Sequence, residues 1–96
     1  MIEVTVQKHE IRISGHAHYA EKGKDIVCAA VSALEYTLTK ALEVIAGENL
    51  RYEEKEGQVT IGFGELSEKG QAIVDTFFVG ILGVIESYPQ YVRLTP

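Results

Sequence analysis

An amphipathic helix is stable where its apolar face is covered, and one segment of this chain carries more apolar surface than a single small sheet can cover. Ser67 suits a helix N-cap, with Glu68 at the positive end of the dipole. After it Ile73, Val74, Phe77, Phe78, Ile81, Leu82, Val84 and Ile85 recur at helical spacing until Tyr88-Pro89 ends the run. These residues wrap more than half of the helix, whereas a helix on one sheet needs only a stripe. Two burial schemes satisfy this. The helix lies between the sheet and the chain's other helix, or it meets a second copy, which Gly80 and Gly83 would allow to approach closely. The longest apolar run, Thr76 to Ile85, is far short of the roughly 20 residues of a spanning helix, so no membrane role is expected.

The remaining segments are shorter. Met1 to Val6 alternates with Ile2, Val4 and Val6 on one side, and Ile11 to Ile13 resumes the alternation after a turn at Gln7 to Glu10, giving a hairpin. Ser14 to Lys24 is a polar loop with Gly15 and Gly23 near its ends. Asp25 is a good N-cap for a long helix carrying Ile26, Val27, Val31, Leu34, Leu38, Leu42 and Ile45, which Gly47 stops. Leu50 to Glu53 and Val59 to Phe63 form a second hairpin around Lys55-Glu56-Gly57, and Tyr91 to Leu94 is a final strand. The order ββαββαβ predicts one α+β domain over residues 1–96. Its sheet is small and antiparallel or mixed, with two long helices packed on one face.

With 14 acidic against 9 basic residues and a net charge of −5, the chain lacks the basic surface that direct nucleic-acid or anionic-membrane binding requires. Its single cysteine excludes an internal disulfide framework and a thiolate-rich zinc site. No basic, apolar, small-residue leader is visible, so a cytoplasmic location is expected.

Only His16 and Cys28 together suggest nucleophilic catalysis. Cys28 is the third residue of a helix capped by Asp25, where the dipole and unpaired amides stabilise a thiolate. His16 stands just after a strand, across the loop, and could return to form a Cys–His dyad. The same free amides would offer donors to an oxyanion. Against this stand ordinary readings: a cysteine in an alanine-rich helix is usually core, and a histidine near a strand end is usually a surface group. A zinc site from His16, His18 and Cys28 matches no closed structural pattern well. Ser32, one turn beyond Cys28 on the same face, could reach toward the thiol or bond back to a helix carbonyl. Gly62-Phe63-Gly64 lacks the third glycine of a dinucleotide-binding turn. Glu53, Glu54 and Glu56 read as a solvated charge run, and His9 as an exposed turn residue.

Gly15-His16-Ala17, followed after the loop by Asp25-Ile26-Val27-Cys28-Ala29-Ala30-Val31-Ser32-Ala33, resembles the paired motifs of the ribosomal-processing cysteine protease family, Prp. The resemblance extends over essentially the whole chain, with Ala30 where the family often has glycine. It implies a dimeric α+β endopeptidase of bacteria, and no cofactor or metal is expected. The implied substrate is the N-terminal extension of the twenty-seventh large-subunit ribosomal protein, cut after paired aromatic residues and before small ones. Cys28 would be the nucleophile and His16 the general base and acid, with Asp25 and Ser32 in support. Ala17, His18, Tyr19, Ala20, Glu21, Lys22, Gly23 and Lys24 would form a mobile loop that orders over bound peptide. Specificity would come from apolar pockets lined by Tyr19 and residues near the dimer face. The competing reading is a non-catalytic, ribosome-associated binding module with Cys28 in its core.

Overall fold

A computed structural model describes residues 1–96. Five strands, β1 (Ile2–Gln7), β2 (Glu10–Ser14), β3 (Leu50–Lys55), β4 (Gln58–Phe63) and β5 (Val92–Thr95), make one sheet in the order β3-β4-β2-β1-β5. The sheet is mixed, because β5 pairs parallel to β1 while every other pairing is antiparallel. Helices α1 (Ile26–Val44) and α2 (Glu68–Ser87) cover one face of it. The element order and the two-helix layer are those the sequence predicts.

The alternation in each strand decides which face is covered. Val4, Ile11, Ile61 and Val92 are buried and meet Val27, Val31, Leu38 and Leu42 of α1 and Val74, Phe77 and Ile81 of α2. Side chains of opposite parity form the open face, where charge replaces packing. There Glu10 Oε2 accepts a bond from Arg12 at 2.7 Å, Arg51 stands 3.7 Å from Glu10 Oε1, and Arg93 pairs with Glu3. Thr5 and Thr95 share a hydroxyl hydrogen bond of 3.0 Å across the parallel pair.

Both helix caps form as their sequences imply. Ser67 Oγ accepts the Gly70 amide at 3.0 Å, and the Ser67 hydroxyl and amide both donate to Glu48 Oε2. Gly47 follows the end of α1 with φ +66°, the left-handed conformation that terminates helices.

The excess apolar surface of α2 is not consumed inside the chain. The helix lies beside α1, with Leu34 of α1 seated on Gly80, so Gly80 serves the α1–α2 contact. Gly83 faces open space, and Val79 (71% exposed) and Leu82 (53%) project outward. At 20 residues, with a mean hydropathy of 1.3 over its best window, α2 is long and apolar enough by composition to cross a membrane. That departs from the expectation based on its uninterrupted apolar run. Val74, Phe77 and Ile81 nonetheless belong to the core shared with the sheet.

Candidate active site

The site lies where β2 ends, the β3–β4 turn folds over, and α1 begins. Gly15 leaves β2 with φ +90°, and its amide donates to the Gly57 carbonyl at 2.9 Å, pinning the strand exit to the hairpin turn. The carbonyl of the next residue, His16, accepts a 2.6 Å bond from the Met1 amine. The backbone carrying the His16 imidazole is therefore fixed on both sides, and its ring lies beside Gly57.

Across from it, Asp25 caps α1 and also holds the loop. Its Oδ1 accepts the Val27 and Cys28 amides at 3.0 and 2.9 Å, and Oδ2 accepts the Tyr19 and Ala20 amides at 3.0 and 3.5 Å. The Cys28 amide bond, opposed in part by desolvation and assisted by the loop amides, holds the Asp25 carboxyl below its ordinary value. This corrects one expectation: the first-turn amides of Val27 and Cys28 are engaged by Asp25 and are not free for an oxyanion. A different donor faces the sulfur, because the Ala17 amide points to Cys28 Sγ at 3.5 Å.

Cys28 is half-buried, not a core residue. It lines two openings together with His16 and Ser32. One, of about 460 Å³, runs beneath the β3–β4 turn past Glu54, Glu56 and Gly57. The other, of about 520 Å³, lies under the loop and is walled by His18, Ala20, Lys22 and Asp25. Ser32 is exposed and makes no bond back to the helix, unlike Thr37 and Thr39, which donate to Ala33 and Glu35 carbonyls. His16 and His18 have ring centroids 5.9 Å apart, and no three His, Cys, Asp or Glu side chains converge closely enough to hold a metal ion.

The loop from Ala17 to Lys24 has no regular structure but has clear attachments. Ala17 is only 3% exposed and belongs to the core, so the segment is anchored at its first residue. His18 has φ +55°, an unusual conformation for a non-glycine residue and one the sequence did not reveal. Tyr19 packs edge-on against Tyr88 and Tyr91, at 5.5 and 5.2 Å, so its ring lines neither opening. Glu21 and Lys24 pair at 3.0 Å, and Gly23 turns the chain toward Asp25 with φ +90°.

Sequence reasoning missed Glu54 and Glu56. They are exposed, as a solvated run implies, and they also stand on the wall of the Cys28 opening. The signal was present for Glu54. In β3, Leu50, Tyr52 and Glu54 share one parity, and the register sets them opposite Phe63, Ile61 and Val59 on the helix-covered side.

A half-buried thiol in the first turn of a helix, lining the same two openings as an imidazole, is the arrangement of a cysteine hydrolase. The family model for the cysteine protease Prp matches residues 1–93, and the chain belongs to that family. It is 31% identical to the ribosomal processing cysteine protease Prp of Mycoplasma genitalium, over 92% of this chain and 99% of that one. To the protein of the same name from Bacillus subtilis it is 29% identical, over 99% and 96%. Among solved structures it resembles the Staphylococcus aureus ribosomal processing protease Prp with a covalently linked product peptide. The TM-score there is 0.88 at 26% identity, covering 98% of this chain and 95% of that one. A Streptococcus mutans protein superposes with a TM-score of 0.79 at 34% identity, over 99% and 92%. The chain is a cysteine protease.

Proposed function

We propose that this protein is the endopeptidase that removes the N-terminal extension of the twenty-seventh large-subunit ribosomal protein in the cytoplasm, using Cys28 and His16. The observation that carries the reading is Cys28 in the first turn of α1, its Sγ approached by the Ala17 amide and lining two openings that His16 also lines. The names of the relatives support the ribosomal substrate. No hydrogen bond joins His16 to Cys28 in the resting geometry; because the His16 backbone is pinned by the Gly15 and Met1 bonds, the imidazole reaches the sulfur by turning about its side-chain bonds when peptide binds.

His16 takes the proton of the Cys28 thiol as the sulfur attacks the scissile carbonyl carbon, and the Ala17 amide takes the developing oxyanion. As the C–N bond breaks, His16 gives its proton to the leaving amine, which leaves a thioester on Cys28. His16 then takes a proton from water, whose oxygen attacks the thioester carbonyl. The C–S bond breaks, and the acid product departs with Cys28 restored. Asp25 keeps the nucleophile's helix turn and the loop in one unit, and Ser32 presents its hydroxyl to the same openings.

The test is incubation of the protein with a peptide spanning the extension of its own ribosomal protein, followed by mass spectrometry. The native protein should yield a single cut, while Cys28→Ala and His16→Ala should yield none above background. Undiminished cleavage by Cys28→Ala would overturn the proposal. The working unit we propose is a homodimer through the helix layer, where Val79, Leu82 and the open side of Gly83 present an apolar surface.

A further inference from the structure

The opening that holds Cys28 continues along α1. Ile13, Val31, Ser32, Glu54 and Val59 wall both that opening and a further one of about 400 Å³, whose other walls are Glu35, Tyr36 and Tyr52. The two make one trough between α1 and β3. On its helix side Cys28, Ser32, Glu35 and Tyr36 follow one another at helical spacing, so the nucleophile stands at one end of the stripe.

The trough combines an apolar floor, Ile13, Val31 and Val59, with two tyrosine rings and two carboxylates. The Tyr52 hydroxyl donates to Glu35 Oε1 at 2.8 Å, which spends its only donor. Burial, together with Glu35 and Glu54, pushes the Tyr52 phenol up to about 12, so it remains a donor at neutral pH. Neither carboxylate has a cationic partner. Arg51 pairs with Glu10 on the other face of the sheet, and Lys55, on the wall of the Cys28 opening, forms no ion pair. An acidic side chain entering here would meet two like charges. A purely apolar one would cover Glu54 without satisfying it. An aliphatic stem ending in a cation matches floor, rings and carboxylates together.

We infer that this trough is a specificity subsite that takes a lysine or arginine side chain of the peptide substrate, with Glu35 and Glu54 holding its charge. The inference rests on the peptidase reading and adds a position. Glu35 stands seven residues after Cys28, about 10 Å along the helix axis at roughly 1.5 Å per residue. An extended peptide covers that in about three residues, so the basic side chain lies two to four residues from the scissile bond.

The experiment uses peptides with one cleavable core and a single lysine, or the uncharged norleucine, at each position within four residues of the scissile bond. Binding is read by fluorescence anisotropy on the Cys28→Ala protein, and turnover on the native one. Lysine at one position two to four residues from the bond should bind about five- to tenfold more tightly than norleucine, the scale of two partly exposed ion pairs on one cation. In the Glu35→Gln, Glu54→Gln double variant that ratio should fall to about one, and Glu54→Lys should invert it in favour of a glutamate peptide. Cleavage with no lysine preference at any position, or a preference that survives the double variant, would overturn the subsite alone. Lysine-dependent binding without turnover by the native protein would instead support the subsite and overturn the peptidase reading.

Discussion

Replacing Gly15 by alanine puts a methyl group at the point where the backbone that carries His16 is held most tightly. Two costs follow. At φ +90° an L side chain is strained by about 1–3 kcal/mol. The new Cβ also meets the Met1 carbonyl oxygen well inside van der Waals contact, and its carbon at 3.4 Å. These atoms are backbone, so relief requires the strand exit to move by about 1 Å, at an overpacking cost of about 1–3 kcal/mol. The expected loss is therefore at least about 2 kcal/mol, or a fall of about 8–16 °C in Tm for a domain of this size. The same displacement shifts the His16 backbone relative to Cys28, and a misplacement of about 1 Å can cost about 100-fold in rate. Gly47→Ala separates the two costs. Its φ is +66°, and a Cβ there meets nothing within 4 Å, so it should lose only about 1–2 kcal/mol and leave kcat/KM unchanged. Thermal melts and peptide cleavage on both variants decide the matter. If Gly15→Ala melts within 4 °C of the native protein and keeps kcat/KM within twofold, about the effect of 1 kcal/mol or less, the argument fails. Equal losses in both variants would show that the Met1 contact contributes nothing.

Tyr52 should ionise with a midpoint of about 12, against an ordinary 10.0, when followed by ring carbon resonances. In the Glu35→Gln, Glu54→Gln variant the midpoint should fall toward 10 without reaching it, because burial is the leading cause; no movement would refute the assigned neighbours. Since the folded value is raised, the associated stability is whole below 10 and lost as pH rises through 12. The amide resonances of Tyr19, Ala20, Val27 and Cys28 should shift together on acidification, with one midpoint below 3.8, as the shared Asp25 carboxylate protonates. Its folded value is lowered, so the clasp is intact above 3.8 and lost as pH falls through that lowered value; four separate midpoints would refute a shared acceptor. Val79→Glu with Leu82→Glu should convert a dimer to a monomer in sedimentation with the circular dichroism spectrum preserved, and an unchanged dimer would remove the helix layer as the interface.

The sequence by itself determined the elements, because their signals are local. Alternation at Ile2, Val4, Ile11 and Ile13, the caps at Asp25 and Ser67, and the stop at Gly47 each depend on a few neighbouring residues, and all are present in the fold. The same locality placed Cys28 in the first turn of α1, while the pairing of the Gly15-His16-Ala17 and Asp25–Ala33 motifs pointed to the protease family. Only the tertiary structure decided what lies far apart along the chain. Period-two alternation selects a face but not a neighbour, so the parallel β1–β5 pairing was open until Val92 was set beside Ile2. Asp25 could be recognised as a cap, but its second oxygen reaches Tyr19 and Ala20 only because the loop folds back, and the Ala17 amide meets Cys28 for the same reason. Gly80 and Gly83 look alike in sequence; Leu34 fills the space at one and nothing fills it at the other. Parity with Leu50 and Tyr52 puts Glu54 on one side of β3, and it was the β3–β4 register that set that side on the wall of the Cys28 opening.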